Sequence, residues 1–239
     1  MQDMENQRWL VTGASRGIGR AIGEAALARG SRVAMLARGD IVQEDHGDRA
    51  LLIRGDVTDH QSMADVAATI KAEWGGIDVL VNNAGLHRGG LVDRIDFEDF
   101  DAVVKTNLNG PLNTIRSMLP HFGKEGGAIV NIGAVVGFRG FAGDAAYGSS
   151  KMALAGLTQV LAVELARRAI RVNLVIPGFV STEMTAEIPA NARERLEKKI
   201  PLGRQGTPEE IAEVVWWIAQ STYMTGSTVA TDGGLMCGL

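Results

Sequence analysis

Short apolar runs alternate with longer stretches of helical periodicity along the whole chain. The runs are continuous rather than alternating with polar residues, which is typical of strands buried on both faces of a parallel sheet. Seven strands are predicted, at 8–12, 32–37, 50–54, 78–81, 127–132, 170–176 and 227–230. Helical spacing occurs at 18–28, 60–74, 97–122, 147–168 and 208–220. The alternation predicts one α/β domain over residues 1–239, with a Rossmann-like, doubly wound parallel sheet of about seven strands.

One connection between the predicted strands is short. Only the 12 residues Gly39–Ala50 separate Arg38 from Leu51. A parallel crossover needs about a dozen residues or more, so the helix expected there is small or missing.

Composition and charge narrow the class of protein. The 239 residues carry 24 basic against 28 acidic side chains and show no basic stripe, so a nucleic-acid partner is not expected. Cys237 is the single cysteine, which excludes a disulfide within the chain, and no Cys/His cluster suggests a metal site. No apolar run approaches the ~18 residues of a membrane span, and the polar start predicts no signal peptide. A cytoplasmic location is therefore expected.

A glycine-rich segment, Thr12–Gly19, joins the first strand to the first helix. Glycines there let the backbone approach a pyrophosphate, and the helix N-terminus supplies N–H donors and a positive dipole. The spacing is G-x-x-x-G-x-G rather than the more common G-x-G-x-x-G. On this segment alone, a glycine-rich turn that merely packs is the alternative.

Two arginines bear on which nicotinamide cofactor would bind. A carboxylate at the end of the second strand favours NAD, whereas an arginine accommodates the 2′-phosphate of NADP. The second strand ends at Ala37-Arg38, and Arg16 lies in the glycine-rich segment. These residues favour NADPH over NAD, although Asp40 lies close by and two solvated surface arginines are the alternative.

The motifs together resemble the short-chain dehydrogenase/reductase family over essentially the whole chain. They are Thr12-Gly13…Gly17-Ile18-Gly19, Asp56, Asn82-Asn83-Ala84-Gly85, Asn107, Tyr147…Lys151 and Pro177–Thr182, in the family's order and spacing. Within the family, Pro177–Thr185, Pro201–Arg204, Pro208–Ala212 and Thr225…Gly234 are most similar to bacterial beta-ketoacyl-acyl-carrier-protein reductases. The resemblance implies a single NAD(P)-binding domain with these cofactor-binding residues: Gly13, Ser15, Arg16, Gly17, Ile18, Gly19, Arg38, Asp56, Val57, Asn83, Ala84, Gly85, Tyr147, Lys151, Pro177, Gly178, Val180 and Thr182.

Tyr147 and Lys151 are four residues apart, so on a helix they share one face. A phenol is protonated at neutral pH and can donate its proton, while a nearby ammonium stabilises the phenolate and lowers the phenol's pKa. The resemblance implies that Tyr147 is the acid/base, that Lys151 also binds the nicotinamide ribose, and that Asn107 holds a proton-relay water. A Tyr and Lys on an ordinary amphipathic helix, and an Asn packed against backbone, are the alternatives.

The family's catalytic serine is missing. The family places it 13 residues before the tyrosine, where this chain has Ala134, and no Ser or Thr occurs from Pro120 to Gly148. Loss of one oxyanion donor typically lowers kcat by about 10²–10³, so impaired turnover is expected. An engineered Ser→Ala substitution is favoured because the other site residues are intact; a native subunit that has lost catalysis is the alternative.

The segment from about 181 to 204 resembles the family's substrate lid. Four apolar residues could line an acyl or polyketide chain, with core packing as the alternative: Phe138, Phe141, Met184 and Ile188. Arg167 and Arg168 end the Tyr147 helix, where an arginine can meet an acidic acyl carrier protein or complement the helix dipole.

The helices predicted at 97–122 and 147–168 carry apolar residues on more than one face. One face can cover the sheet, and the other needs a partner. Family members pair these helices, so a homotetramer is expected, with a dimer possible. The sequence thus predicts an NADPH-dependent reductase of 3-oxoacyl thioesters. A reductase or dehydrogenase of free small or cyclic ketones or alcohols, and a non-catalytic NADP-binding subunit, are the alternatives.

Overall fold

A seven-stranded parallel sheet forms the centre of the computed structural model, which describes residues 6–41, 47–186 and 188–237. The strands are β1 Arg8–Thr12, β2 Arg32–Ala37, β3 Ala50–Arg54, β4 Val79–Asn82, β5 Gly127–Ile132, β6 Ile170–Pro177 and β7 Thr228–Thr231. The helices are α1 Gly17–Ala28, α2 His60–Trp74, α3 Phe97–Val104, α4 Gly110–Met118, α5 Ala145–Leu165, α6 Glu183–Ala186, α7 Ala190–Glu197 and α8 Pro208–Gln220. The strand order is β3-β2-β1-β4-β5-β6-β7, which confirms the doubly wound sheet.

The strand order reverses between β1 and β4. The chain moves outward in one direction through β2 and β3, and then returns to place β4 on the other side of β1. In open parallel sheets a crevice forms beyond the carboxyl ends of the strands at such a switch point. The fold therefore brings the segments that follow β1 and β4 together.

Apolar side chains pack on both faces of the sheet, which explains the continuous apolar strands. On one face, Ile22 of α1 and Val215 of α8 are fully buried against the sheet. On the other face, Met63 of α2, Ile115 of α4 and Leu161 of α5 are buried. Burial on both faces leaves the strand ends as the places where polar chemistry can be presented.

The helix predicted over 97–122 is interrupted. α3 ends at Val104, a π-helical turn follows over Lys105–Asn109, α4 begins at Gly110, and a 3₁₀ turn closes the segment at 119–121. Pro111 has no amide hydrogen for the carbonyl of Asn107, four residues earlier, so the α-helical hydrogen-bond pattern cannot run through this point. Such wide turns are frequently found at functional sites.

Smaller differences concern the ends of elements. Asp78, predicted in the fourth strand, directly precedes it, and its carboxylate accepts hydrogen bonds from the Arg8 backbone and guanidinium. The last strand is shifted by one residue, and α5 begins two residues before Tyr147 and gives way to a 3₁₀ turn at 166–168. In the short connection the described residues contain a 3₁₀ turn, Gly47–Arg49, while 42–46 lie outside them.

Two short helices, α6 and α7, lie in the segment resembling a lid, where no helix was predicted. Among the residues that the structure describes, no helix has the length and apolar character needed to cross a membrane.

Candidate active site

The glycine-rich segment makes a close backbone contact with the end of β4. Gly13 has φ +65°, and a Cβ atom there would lie 2.8 Å from Ala84 Cα. A Cβ on Gly19 would lie 2.4 Å from the Gly13 carbonyl oxygen. α1 then begins at Gly17, and its N-cap residue, Arg16, makes no side-chain capping bond. The first turn of α1 therefore keeps N–H groups that can bind an anion.

A small hydrogen-bond network joins β1 to the segment after β4. Thr12 Oγ1 accepts hydrogen bonds from the backbone N–H groups of Asn83 and Ala84, each at 3.0 Å. The Asn83 amide donates to the carbonyl oxygens of Thr12 and Gly13 at 3.0 and 3.1 Å. Asn83 thus braces the glycine-rich segment, which sets the shape of the crevice.

A cleft of about 590 Å³ opens at this switch point. Its lining includes 17 of the 18 residues expected to bind cofactor, all except Gly19, whose backbone packs beneath the segment. Ala134 also lines the cleft. The cleft therefore extends from the α1 N-terminus to Tyr147 and Lys151.

The two arginines at the cleft are exposed. Arg16 and Arg38 both line it, as does Asp40, and within the described residues neither guanidinium forms an ion pair. Asp56, also in the lining, accepts hydrogen bonds from the Thr58 backbone N–H and hydroxyl on one carboxylate oxygen, both at 2.9 Å. Its other oxygen remains available to a ligand.

Tyr147 and Lys151 lie one turn apart on α5 and face the same cleft. Lys151 is 3% exposed, and its Nζ donates to the Ile132 carbonyl at 2.8 Å. Nζ also lies 5.7 Å from the centroid of the Tyr147 ring. The helix and the end of β5 together fix the ammonium beside the phenol.

Burial shifts the pKa values of Tyr147 and Lys151 in opposite directions. Desolvation, with the Asp144 carboxylate adding to it, raises the pKa of Tyr147 to about 12. Desolvation lowers the pKa of Lys151 to about 8. Burial and Asp144 account for the raised pKa of Tyr147 in the protein alone, and the lowering of that pKa by the Lys151 ammonium stays a prediction. Tyr147 keeps its proton at neutral pH.

Asn107 is fully buried at the π-helical turn and does not line the cleft. Its Oδ1 accepts from the Leu86 N–H at 2.7 Å, and its Nδ2 donates to the Leu86 carbonyl at 2.9 Å and to Ser150 Oγ at 3.1 Å. Asn107 therefore packs against backbone and fixes the segment after β4 against α5, while its part in holding a relay water stays a prediction.

Comparisons with known proteins identify the family of this chain. A family model described as "Enoyl-(Acyl carrier protein) reductase" matches residues 13–236. The chain is 40% identical to the 3-oxoacyl-[acyl-carrier-protein] reductase FabG of Thermotoga maritima, over 98% of this chain and 99% of that protein. A Serratia marcescens short-chain dehydrogenase/reductase variant superposes with a TM-score of 0.89 at 32% identity, covering 98% and 99% of the two chains. The chain belongs to the short-chain dehydrogenase/reductase family.

A second solved structure extends the likeness to a sugar enzyme. The ligand-free aldohexose dehydrogenase of Thermoplasma acidophilum superposes with a TM-score of 0.92 at 29% identity, covering 99% of this chain and 96% of that one. Family membership thus places the chain among dehydrogenases and reductases, and the substrate has to be argued from the site.

Of the four residues expected to line the substrate chain, only Met184 lines the cleft. It is 48% exposed. Phe138 and Phe141 are partly buried against a cluster that includes Leu154 and Ile176. Like Ile188, they do not line the cleft, and their place beside a substrate chain stays a prediction.

Sequence reasoning also missed several residues that line the cleft. Ala37, Gly55, Ile132 and Gly133 end or directly follow β2, β3 and β5. Their signal was position, since the carboxyl ends of parallel strands converge on one crevice.

Proposed function

We propose that this chain is an NADPH-dependent ketoreductase that reduces 3-oxoacyl thioesters, carried on coenzyme A or acyl carrier protein, to 3-hydroxyacyl thioesters. The observation that carries the proposal is the shared cleft. Tyr147 and Lys151 line it at one end, and the uncapped first turn of α1 lines it at the other. Similarity to 3-oxoacyl-[acyl-carrier-protein] reductases supports the choice of substrate class.

The cleft fits a dinucleotide with an additional phosphate. The close Gly13–Ala84 backbone contact and the first turn of α1 form a cradle for the pyrophosphate. Arg16 and Arg38, exposed at the cleft mouth, suit the 2′-phosphate of NADPH, because guanidinium groups bind phosphate through paired donors. Asp56 and Val57 would bind at the adenine. When bound, the nicotinamide would supply the hydride that reduces the ketone carbon.

The protein's own residues would supply the proton. Tyr147 retains its proton at neutral pH and would donate it to the carbonyl oxygen of the substrate. Lys151, held by the Ile132 carbonyl, would stabilise the phenolate that remains and bind the nicotinamide ribose. Asn107 would hold the segment after β4 in place and keep a relay water near Lys151.

Ala134 would weaken this reaction. It lines the cleft with Tyr147, but its methyl group cannot donate a hydrogen bond to a carbonyl or oxyanion. Restoring the donor as Ala134→Ser should raise NADPH oxidation with acetoacetyl-CoA by about 10²-fold. Ala134→Gly is the matched control, since it changes volume without adding a donor, and it should give no such rise. Equal rates for the parent and Ala134→Ser, with NADPH bound by both, would contradict the proposal.

Reduction of free ketones is a second candidate. Structural similarity to an aldohexose dehydrogenase favours it, because a free sugar lacks a thioester. Comparing acetoacetyl-CoA with a cyclic ketone on the Ala134→Ser form separates the two candidates. Turnover of the free ketone alone would replace the thioester as substrate. Binding of NADPH with turnover of neither would indicate a non-catalytic NADP-binding subunit, for which an active partner should co-purify.

Assembly into a homotetramer belongs to the same proposal. Four apolar side chains of α4 and α5 are 39–79% exposed in the single chain: Leu112, Met152, Val160 and Val163. Pairing of these helices would cover them. Light scattering should give the mass of four chains, and Val163→Lys should reduce it.

An acidic acyl carrier protein could meet the C-terminal end of α5. Arg167 and Arg168 are both exposed, and Arg168 donates to the Leu119 carbonyl at the end of α4. Arg167→Glu should raise KM for the carrier-linked substrate and leave KM for the CoA thioester unchanged. We also propose a cytoplasmic location, which fits the absence of a membrane-crossing helix among the described residues.

A further inference from the structure

A histidine in the segment after β4 contacts the proposed proton donor. The imidazole of His87 packs edge-on against the Tyr147 ring, with centroids 5.0 Å apart and planes at 83°. His87 Nε2 lies 2.8 Å from Oδ1 of Asp144, three residues before Tyr147. The proposed mechanism assigns neither His87 nor Asp144 a role.

The surrounding backbone holds His87 in this position. Asn107 forms two hydrogen bonds with the backbone of Leu86, the preceding residue. Three residues after His87, the Gly90 N–H donates to the Gly143 carbonyl at 2.8 Å, beside Asp144. Because the segment is fixed on both sides of His87, the contact with Tyr147 does not depend on a freely rotating surface side chain.

The charges around the phenol are few and can be named. Asp144 is one cause of the raised pKa of Tyr147, and the same carboxylate raises the pKa of His87. Lys151 from α5 lies near the phenol ring. Arg88, the residue after His87, forms an ion pair with Asp99 of α3, so the two charges offset one another. Asp144 is thus the anion that acts on Tyr147, and a neutral His87 leaves its charge without the imidazolium as partner.

We propose that His87 is a positioning residue for Tyr147: held by Asp144, it makes the phenol a stronger proton donor when its imidazole carries a proton, because the imidazolium cancels the Asp144 charge. This rests on the proposed function for its effect on rate. The charge coupling itself is a property of the folded protein and can be measured without turnover.

Two titrations of the full chain test the coupling directly. Proton NMR of the imidazoles, with His87 assigned from His87→Gln, should show its midpoint falling in Asp144→Asn. The chain has two tyrosines, Tyr147 and the exposed Tyr223, so subtracting Tyr147→Phe isolates the tyrosinate absorbance of Tyr147. Asp144→Asn should shift its onset to lower pH by about one unit, measured only where circular dichroism shows the fold intact. His87→Gln should leave that onset unchanged, because His87 is already neutral there.

Kinetic measurements on the Ala134→Ser form test whether the rate of ketone reduction depends on the protonation of His87. The rate of ketone reduction should fall about threefold as pH rises through the His87 midpoint, because the proton donor weakens. The step should vanish in both His87→Gln and Asp144→Asn and persist in His60→Gln, a histidine at the start of α2. A step retained in His87→Gln would overturn the proposal.

The two kinds of failure are distinguishable. If no variant reduces any ketone, the proposed function is wrong. The two titrations then remain as the test of the charge coupling between His87, Asp144 and Tyr147. Shifts of the His87 midpoint and the Tyr147 onset in Asp144→Asn would then support the coupling. Unchanged values for both groups would overturn it.

Discussion

Replacement of Gly13 by alanine should close the cofactor cleft. Gly13 has φ +65°, which costs an L-residue about 1–2 kcal/mol. The new Cβ would also lie 2.8 Å from Ala84 Cα and 3.0 Å from Ala84 N, and these are backbone atoms. Ala84 cannot easily retreat, because its N–H is bound to Thr12 Oγ1 at 3.0 Å. Together these effects should destabilise the loop by about 2–4 kcal/mol.

Fluorescence titration with NADPH and thermal unfolding measure this effect. Since each ~1.4 kcal/mol is tenfold in an equilibrium constant, Kd for NADPH should rise by at least about tenfold. Gly39→Ala is the matched control: Gly39 lines the same cleft, its φ is not positive, and its Cβ would meet nothing within 4 Å. It should bind NADPH like the parent. Parental affinity and unfolding temperature in Gly13→Ala would refute the reasoning.

Three further predictions concern charged groups. Asp78→Asn should lower the free energy of unfolding in urea by about 1–2 kcal/mol, since it disrupts the paired hydrogen bonds to the Arg8 guanidinium. Arg204 lowers the pKa of the Glu210 carboxyl to about 2. The stabilisation that ionised Glu210 contributes is therefore complete above the ordinary pKa of a glutamate and is lost as pH falls toward 2. In Glu210→Gln the unfolding temperature should change less with pH over that range. Because burial lowers the pKa of Lys151 to about 8, ketone reduction by the Ala134→Ser form should fall as pH rises through 8, and a flat kcat there would contradict the role of its ammonium.

The order of elements was predictable because the five inner strands are buried on both faces. A run such as Val33–Leu36 is apolar at every position, so it is recognisable as a buried strand. In most cases a stretch of helical spacing separates such a run from the next strand. Local patterning therefore fixed the seven strands and, through the short-chain dehydrogenase/reductase motifs, the residues that line the cleft. Boundaries differed by a residue or two, as at β4, which begins at Val79 rather than Asp78.

What the sequence could not give were interactions between residues distant in the chain. The break at the π-helical turn reflects Pro111 together with the bonds of Asn107 to Leu86, 21 residues away. The contact of His87 with Asp144 joins residues 57 apart, and no periodicity signals it. Phe138 and Phe141 suited a substrate wall or a core equally well in the sequence, and only the structure shows their packing against the buried cluster of Leu154 and Ile176.

Burial of the Tyr147–Lys151 pair favours a Tyr147 phenol that keeps its proton over one that releases it. The raised pKa of Tyr147 keeps the phenol protonated at neutral pH, as an acid waiting for a ketone must be, but makes it a weak donor. Lys151 remains charged below its pKa of about 8, so it can stabilise the phenolate once the proton has left. In the proposed reaction Ala134 offers the carbonyl no donor, so stabilisation of the developing negative charge would depend on Tyr147 and its neighbours. The charge of His87, which we propose changes the acid strength of this phenol, would therefore act on proton transfer from Tyr147 to the ketone oxygen. Ala134 gives that oxygen no hydrogen bond.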